Sequence, residues 1–172
     1  PELAGPDEQV QSHRPDDRDR LRDEVDGDQP EDEDRRDGRH EHPTQEFLDE
    51  FSFLEQLDWD YDSIHIALIG DLFHGRTVHS KTDGLQIFSK VTVDLVAPHD
   101  LQLPNYYRRR MEEAGFTIRE LESVDDYLNS GSHAGIWYFT RLQLERMGDK
   151  VLERADRLRD SVTIRKDHLP LL

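Results

Sequence analysis

The sequence predicts an α/β domain, a parallel β-sheet with helices on both faces, preceded by a disordered acidic leader. Three observations carry this. Short β-branched runs alternate with helical periodicity four times in the second part of the chain, and such alternation implies right-handed crossovers between parallel strands. The first run, Ile64-His65-Ile66-Ala67-Leu68-Ile69-Gly70, has the character of a buried parallel strand. Residues 1–40, by contrast, hold fifteen Asp and Glu against seven Arg, a net charge of −8, with no Lys and no Phe, Tyr or Trp. That stretch has too little apolar surface to offset its ordering entropy.

Each element follows from its spacing. Residues 43–57 place Phe47, Leu48, Phe51, Leu54 and Leu57 three and four apart, the pattern of an amphipathic helix, and Pro43 suits its first turn. Asp58-Trp59-Asp60-Tyr61-Asp62 alternates carboxylates as a calcium loop does, but the sixth position is Ser63 rather than Gly and the twelfth is Ile69 rather than Glu. A solvated turn is therefore expected. After the first strand comes a Gly/Asp/His/Arg loop and a helix over 78–88. A second strand spans 91–96, ended by Ala97-Pro98, and a helix over 104–114 is closed by Gly115 as its C-cap. A third strand at 116–119, a short helix at 124–128 and a fourth strand at 136–139 follow. The apolar spacing of Leu144, Met147, Val151, Leu152, Ala155 and Leu158 predicts one helix over 144–158, and 161–164 reads as the start of another strand.

Composition excludes several classes. There is no Cys, so disulfides, zinc–thiolate sites and thiol nucleophiles are impossible. No apolar run approaches the ~18–20 residues of a membrane helix, and no signal-type apolar segment follows the first residues, so a cytoplasmic protein without membrane contact is expected. The net charge of −17 repels phosphate backbones, against a nucleic-acid partner. For the leader, an acidic interaction tail stands beside plain disorder. Its lack of Lys, Ile, Phe, Tyr and Asn is also what a shifted reading frame of a GC-rich gene tends to give.

Ligands of open parallel sheets bind beyond the carboxyl ends of the strands, which singles out two loops. The loop after the first strand, Gly70-Asp71-Leu72-Phe73-His74-Gly75-Arg76, lacks both the G-x-G-x-x-G and the P-loop patterns. Arg76 stands beside a helix N-terminus, where a guanidinium, the dipole and unpaired N–H groups suit a carboxylate or phosphate. The loop after the fourth strand, Thr140-Arg141-Leu142-Gln143, offers a second Arg at an equivalent place. On spacing alone, two guanidiniums clamping a dicarboxylate and two solvated surface arginines both stay open. His40-Glu41-His42 lacks a third ligand cluster, so no metal is expected.

Taken together, His42-Pro43-Thr44-Gln45, then Gly75-Arg76-Thr77-Val78-His79-Ser80, then Thr140-Arg141-Leu142-Gln143 closely resemble the aspartate carbamoyltransferase catalytic chain, in order and at plausible distances. Val96-Ala97-Pro98, Leu103-Pro104 and Gly115-Phe116 also look like that family. The resemblance covers about residues 41–170. It implies a Rossmann-like aspartate-binding domain over 61–172 and, over 41–60, the end of a carbamoyl-phosphate domain with an interdomain helix. It further implies the reaction of carbamoyl phosphate with L-aspartate to N-carbamoyl-L-aspartate and phosphate, in pyrimidine synthesis. Under that resemblance His42 hydrogen-bonds the carbamoyl oxygen and stabilises the oxyanion, and Gln45 holds the carbamoyl amide. Arg76 and Arg141 bind the aspartate carboxylates, and Gln143 supports Arg141 or the substrate. No cofactor is implied, and family members assemble as homotrimers.

The family's Ser-Thr-Arg-Thr-Arg phosphate loop and His-Pro-Leu-Pro-Arg segment are not in this sequence. A partial, inactive aspartate carbamoyltransferase chain is therefore the leading expectation. The alternative is a non-catalytic module that binds a dicarboxylate or another protein. A Rossmann-like nucleotide binder comes last, since its Gly-rich fingerprint is missing.

Overall fold

The computed structural model describes residues 43–146 and 154–171. The leader and His42 lie outside the described residues. Four strands, β1 (Ser63–Ile69), β2 (Lys90–Val96), β3 (Thr117–Leu121) and β4 (Ile136–Phe139), form one parallel sheet in the order β3-β2-β1-β4. Ile66 stands opposite Val93 on one side and Ile136 on the other, so β1 and β2 occupy the centre. Both show the same burial, exposed at the first residue and buried on both faces over the last four. That explains their near-continuous apolar character.

Helices cover the two faces. On one, α1 (Pro43–Gln56), α2 (Arg76–Gly84) and α3 (Asn105–Glu113) bring Phe53, Leu54, Val78, Tyr107 and Met111 against Ile64, Ile66, Leu68, Val91, Val93 and Leu95. On the other, α4 (Val124–Asn129) sets Val124, Tyr127 and Leu128 against Ala67, Ile69 and Val96. Each fully buried Leu or Ile of these layers contributes about 1.5–3 kcal/mol. Local chemistry sets the helix ends. Gly115, at φ +84°, closes α3 while the Phe116 N–H reaches back to the Met111 carbonyl at 2.9 Å. Ser123 caps α4, accepting the Asp126 N–H at 3.1 Å while its hydroxyl donates to the Asp126 carboxylate at 2.6 Å.

Three sequence expectations are corrected. Residues 144–158 do not form one described helix. Leu144–Arg146 is a 3₁₀ turn, 147–153 lie outside the described residues, and α5 is Ala155–Ser161. Residues 161–164 are not a strand: Ser161 ends α5, and the chain passes into a 3₁₀ helix at Lys166–Leu171. The third correction concerns α1. Its inward stripe is Glu46, Phe53, Leu54 and half-buried Leu57, whereas Phe47, Leu48 and Phe51 are 71, 58 and 54% exposed. On the inward face Lys81 of α2 pairs with the Glu46 and Asp49 carboxylates.

A second buried charge cluster spans three strands. Asp94 of β2 has no exposed surface and accepts two bonds from Arg119 of β3, at 2.9 and 2.8 Å, with the His65 ring of β1 at 2.8 Å. Both carboxylate oxygens are satisfied, which is what makes a charge tolerable at the centre of the sheet.

Candidate active site

The strand order decides where a site can form. From β1 the chain steps outward to β2 and β3, then crosses back to place β4 on the other side of β1. Loops leaving β1 and β4 therefore lie side by side at the carboxyl ends of two neighbouring strands, where ligands of such sheets bind. The ladder continues there: the Thr140 N–H donates to the Ile69 carbonyl at 2.8 Å, and the Thr140 hydroxyl reaches the Asp71 carbonyl at 3.3 Å. Gly70 makes this approach possible. Its φ is +123°, and a Cβ there would collide with the Thr140 carbonyl oxygen and lie 2.6 Å from its hydroxyl. At Gly75, just before α2, a Cβ would meet the Asp71 carbonyl at 2.6 Å.

Asp71 holds the two loops together. Fully buried, it accepts the His74 N–H and the His74 ring Nδ1 at Oδ1, both at 3.0 Å, and the Gln143 N–H at Oδ2, also at 3.0 Å. Burial alone would raise its pKa, but the His74 and Gln143 bonds outweigh it and hold the carboxyl below the usual aspartate value. Gln143 Nε2 adds a bond to the His74 carbonyl at 2.7 Å. The sequence expectation for Gln143 was support of Arg141 or a substrate. In the structure Gln143 lines the cleft at these loops, with its backbone N–H and Nε2 bonded to the loop after β1.

The result is an open cleft of about 360 Å³. Arg76 and Thr77 line it from the first turn of α2, Thr140 and Arg141 from the loop after β4, Arg146 from the following 3₁₀ turn, with Phe139 as an apolar wall. Three guanidiniums and no carboxylate line it among the described residues. Arg76 and Arg141, expected from sequence, are brought together. Gln45 is not among the lining residues; it stands on α1 with Nε2 donating to Asp49 at 2.9 Å. Asp71 and Arg146 stand within the stretches that carry the resemblance, Gly70-Asp71 and residues 140–146, but sequence reasoning gave neither a role in the site. The only local signal was an Asp directly after the strand-terminal Gly70, which nothing in the pattern marks as buried.

Such a cleft suits a small polyanion, because each planar guanidinium can engage a carboxylate or phosphate through two parallel N–H bonds. Fold and site together define a parallel α/β domain with an arginine-lined cleft at the switch between β1 and β4. No family model matches the chain. It is 60% identical over 136 residues to the protein PyrBI of Treponema denticola, covering 79% of this chain and 25% of that protein. It is 40% identical to the aspartate carbamoyltransferase catalytic subunit of Cellvibrio japonicus over 72% of this chain and 36% of that subunit. Among solved structures, Trypanosoma cruzi aspartate transcarbamoylase in complex with N-(phosphonacetyl)-L-aspartic acid matches with a TM-score of 0.64 and 34% identity, over 78% of this chain and 42% of that one. The same enzyme has been solved with carbamoyl phosphate, and with aspartate and phosphate. The C-terminal part of the chain is thus covered by homologues named PyrBI and aspartate carbamoyltransferase catalytic subunit. The chain spans about a quarter of the PyrBI protein and roughly two fifths or less of the catalytic chains it matches.

Proposed function

We propose that this chain supplies the aspartate-binding half of an aspartate carbamoyltransferase. The carrying observation is the convergence of Arg76 and Arg141 on one cleft at the carboxyl ends of β1 and β4. In this reading the two guanidiniums each take one carboxylate of L-aspartate. Its amine then attacks the carbonyl carbon of carbamoyl phosphate, the bond from that carbon to the phosphate oxygen breaks, and phosphate leaves, taking up the proton that the attacking nitrogen loses. His42 donates to the carbamoyl oxygen as it gains negative charge, and Gln45 holds the carbamoyl amide. The helix carrying Gln45 then leads from the carbamoyl-phosphate side into the aspartate-binding domain that begins near residue 61. Positioning and charge complementarity supply the rate enhancement, without a covalent intermediate on the protein.

Titration calorimetry with succinate and with L-aspartate tests the reading. Both should bind, and Arg76→Ala or Arg141→Ala should each weaken binding by about 1.5–3 kcal/mol, the worth of a hydrogen bond to a charged group. Unchanged binding in both variants would overturn it.

A further inference from the structure

Lys81 of α2 has no exposed surface, yet its ammonium is held by two carboxylates of α1. Nζ donates to Glu46 Oε2 and, at 2.7 Å, to Asp49 Oδ2. It lies 4.8 Å from the ring centre of Tyr138 on β4 and 5.5 Å from that of Phe53. Asp49 is the junction. Besides Lys81 it accepts the Gln45 amide at 2.9 Å, and the Tyr138 ring of β4 faces the same ammonium. One cluster therefore joins Gln45 on α1, Lys81 on α2, and through the Tyr138 ring the strand that runs into Thr140 and Arg141.

Stability does not account for such an arrangement. Removing an ammonium from water is costly, and a buried ion cluster is often replaced by apolar residues of similar volume with no loss of stability. What a charged junction supplies is geometry, since Lys81 can satisfy both carboxylates only at one relative setting of α1 and α2. We propose that Lys81 is a positioning residue for the carbamoyl side of the site, clamping α1 through Glu46 and Asp49 so that Gln45 is held in register with the arginine cleft formed by α2 and the loop after β4. This rests on the aspartate carbamoyltransferase reading of the cleft. The other ionisable groups facing the clamp are Glu50 on α1 and Tyr138 on β4.

The test compares the full chain with Lys81→Met and with Lys81→Met/Glu46→Leu, the second leaving one fewer carboxylate without its cation. Thermal melting reports folding. The Gln45 side-chain amide signal in ¹⁵N-resolved NMR reports the clamp without any ligand. Calorimetry with succinate and with N-carbamoyl-L-aspartate separates the arginine contacts from the carbamoyl contact. In the double variant, melting should be retained and the Gln45 signal should shift. Affinity for N-carbamoyl-L-aspartate should fall about tenfold, the worth of one good hydrogen bond, while succinate affinity stays within about twofold. An unmoved Gln45 signal would overturn the proposal, and so would equal losses for both ligands. If neither ligand binds the unmodified chain, the proposed function fails, and the Gln45 signal still decides the role of Lys81.

Discussion

Replacing Glu46 by glutamine should abolish a pH dependence of stability that the unmodified domain carries between about pH 4.5 and 7. Glu46 is buried, only one of its carboxylate oxygens is bonded to Lys81, and its Oε1 has no partner. Burial, with Glu50 and Asp49 adding like charge, outweighs the attraction of Lys81 and pushes its pKa from 4.5 to about 7. Asp49, on the same ammonium, goes the other way. Burial is overcome there by bonds from Lys81 and Gln45, and its pKa falls. The proton therefore belongs on Glu46. In that window the folded state binds a proton that the unfolded chain has released, so stability falls as pH rises through it. At about 1.4 kcal/mol per unit the full shift corresponds to roughly 3 kcal/mol, and to about 2 kcal/mol once solvent screening at the α1–α2 seam is included. Urea unfolding at half-unit pH steps from 4 to 8 gives the two curves. Their difference isolates Glu46 from every group common to both proteins. Parallel curves would refute the assignment of the proton, and a difference that grows as pH falls would refute its sign.

Two further perturbations address the cleft. Asp71→Ala strands the His74 and Gln143 N–H groups and should cost on the order of 3 kcal/mol in denaturant unfolding. It should also weaken succinate binding, because the loops that carry Arg76 and Arg141 lose their common acceptor. Gly70→Ala drives a methyl into the Thr140 carbonyl at a backbone angle that L-residues avoid, so the soluble yield and melting temperature should collapse; a variant that melts like the parent would show that the β1–β4 crevice can relax.

Much of the fold was legible because parallel strands and their covering helices announce themselves through local periodicity. The run 64–70, the strand at 91–96, the Gly115 cap and both site loops appear in the structure where the residues suggested them. Arg76 and Arg141 were legible as well, since the rule that ligands sit beyond strand ends needs only the position of each strand. The rest is non-local. Spacing placed Phe47, Leu48, Phe51, Leu54 and Leu57 on one amphipathic helix, but of these Leu54 is buried while Phe47, Leu48 and Phe51 are exposed, and Glu46 faces inward to meet Lys81, thirty-five residues further on. Residues 144–158 had helical spacing throughout, yet Arg146 stands on a 3₁₀ turn beside the cleft.

By itself the sequence determined the alternation of strands and helices, the absence of any thiol chemistry, and the two loops that carry the arginines. The first and the last of these depend on neighbours within about ten positions, the range over which hydrophobic period and turn chemistry act. Only the tertiary structure decided that β4 returns beside β1, that one buried aspartate fastens the two loops, and that a lysine with no solvent contact joins α1 to α2. Those outcomes depend on which distant groups meet across the crossovers. A buried charge is placed by the partners that satisfy it, and those partners are not its neighbours in the chain.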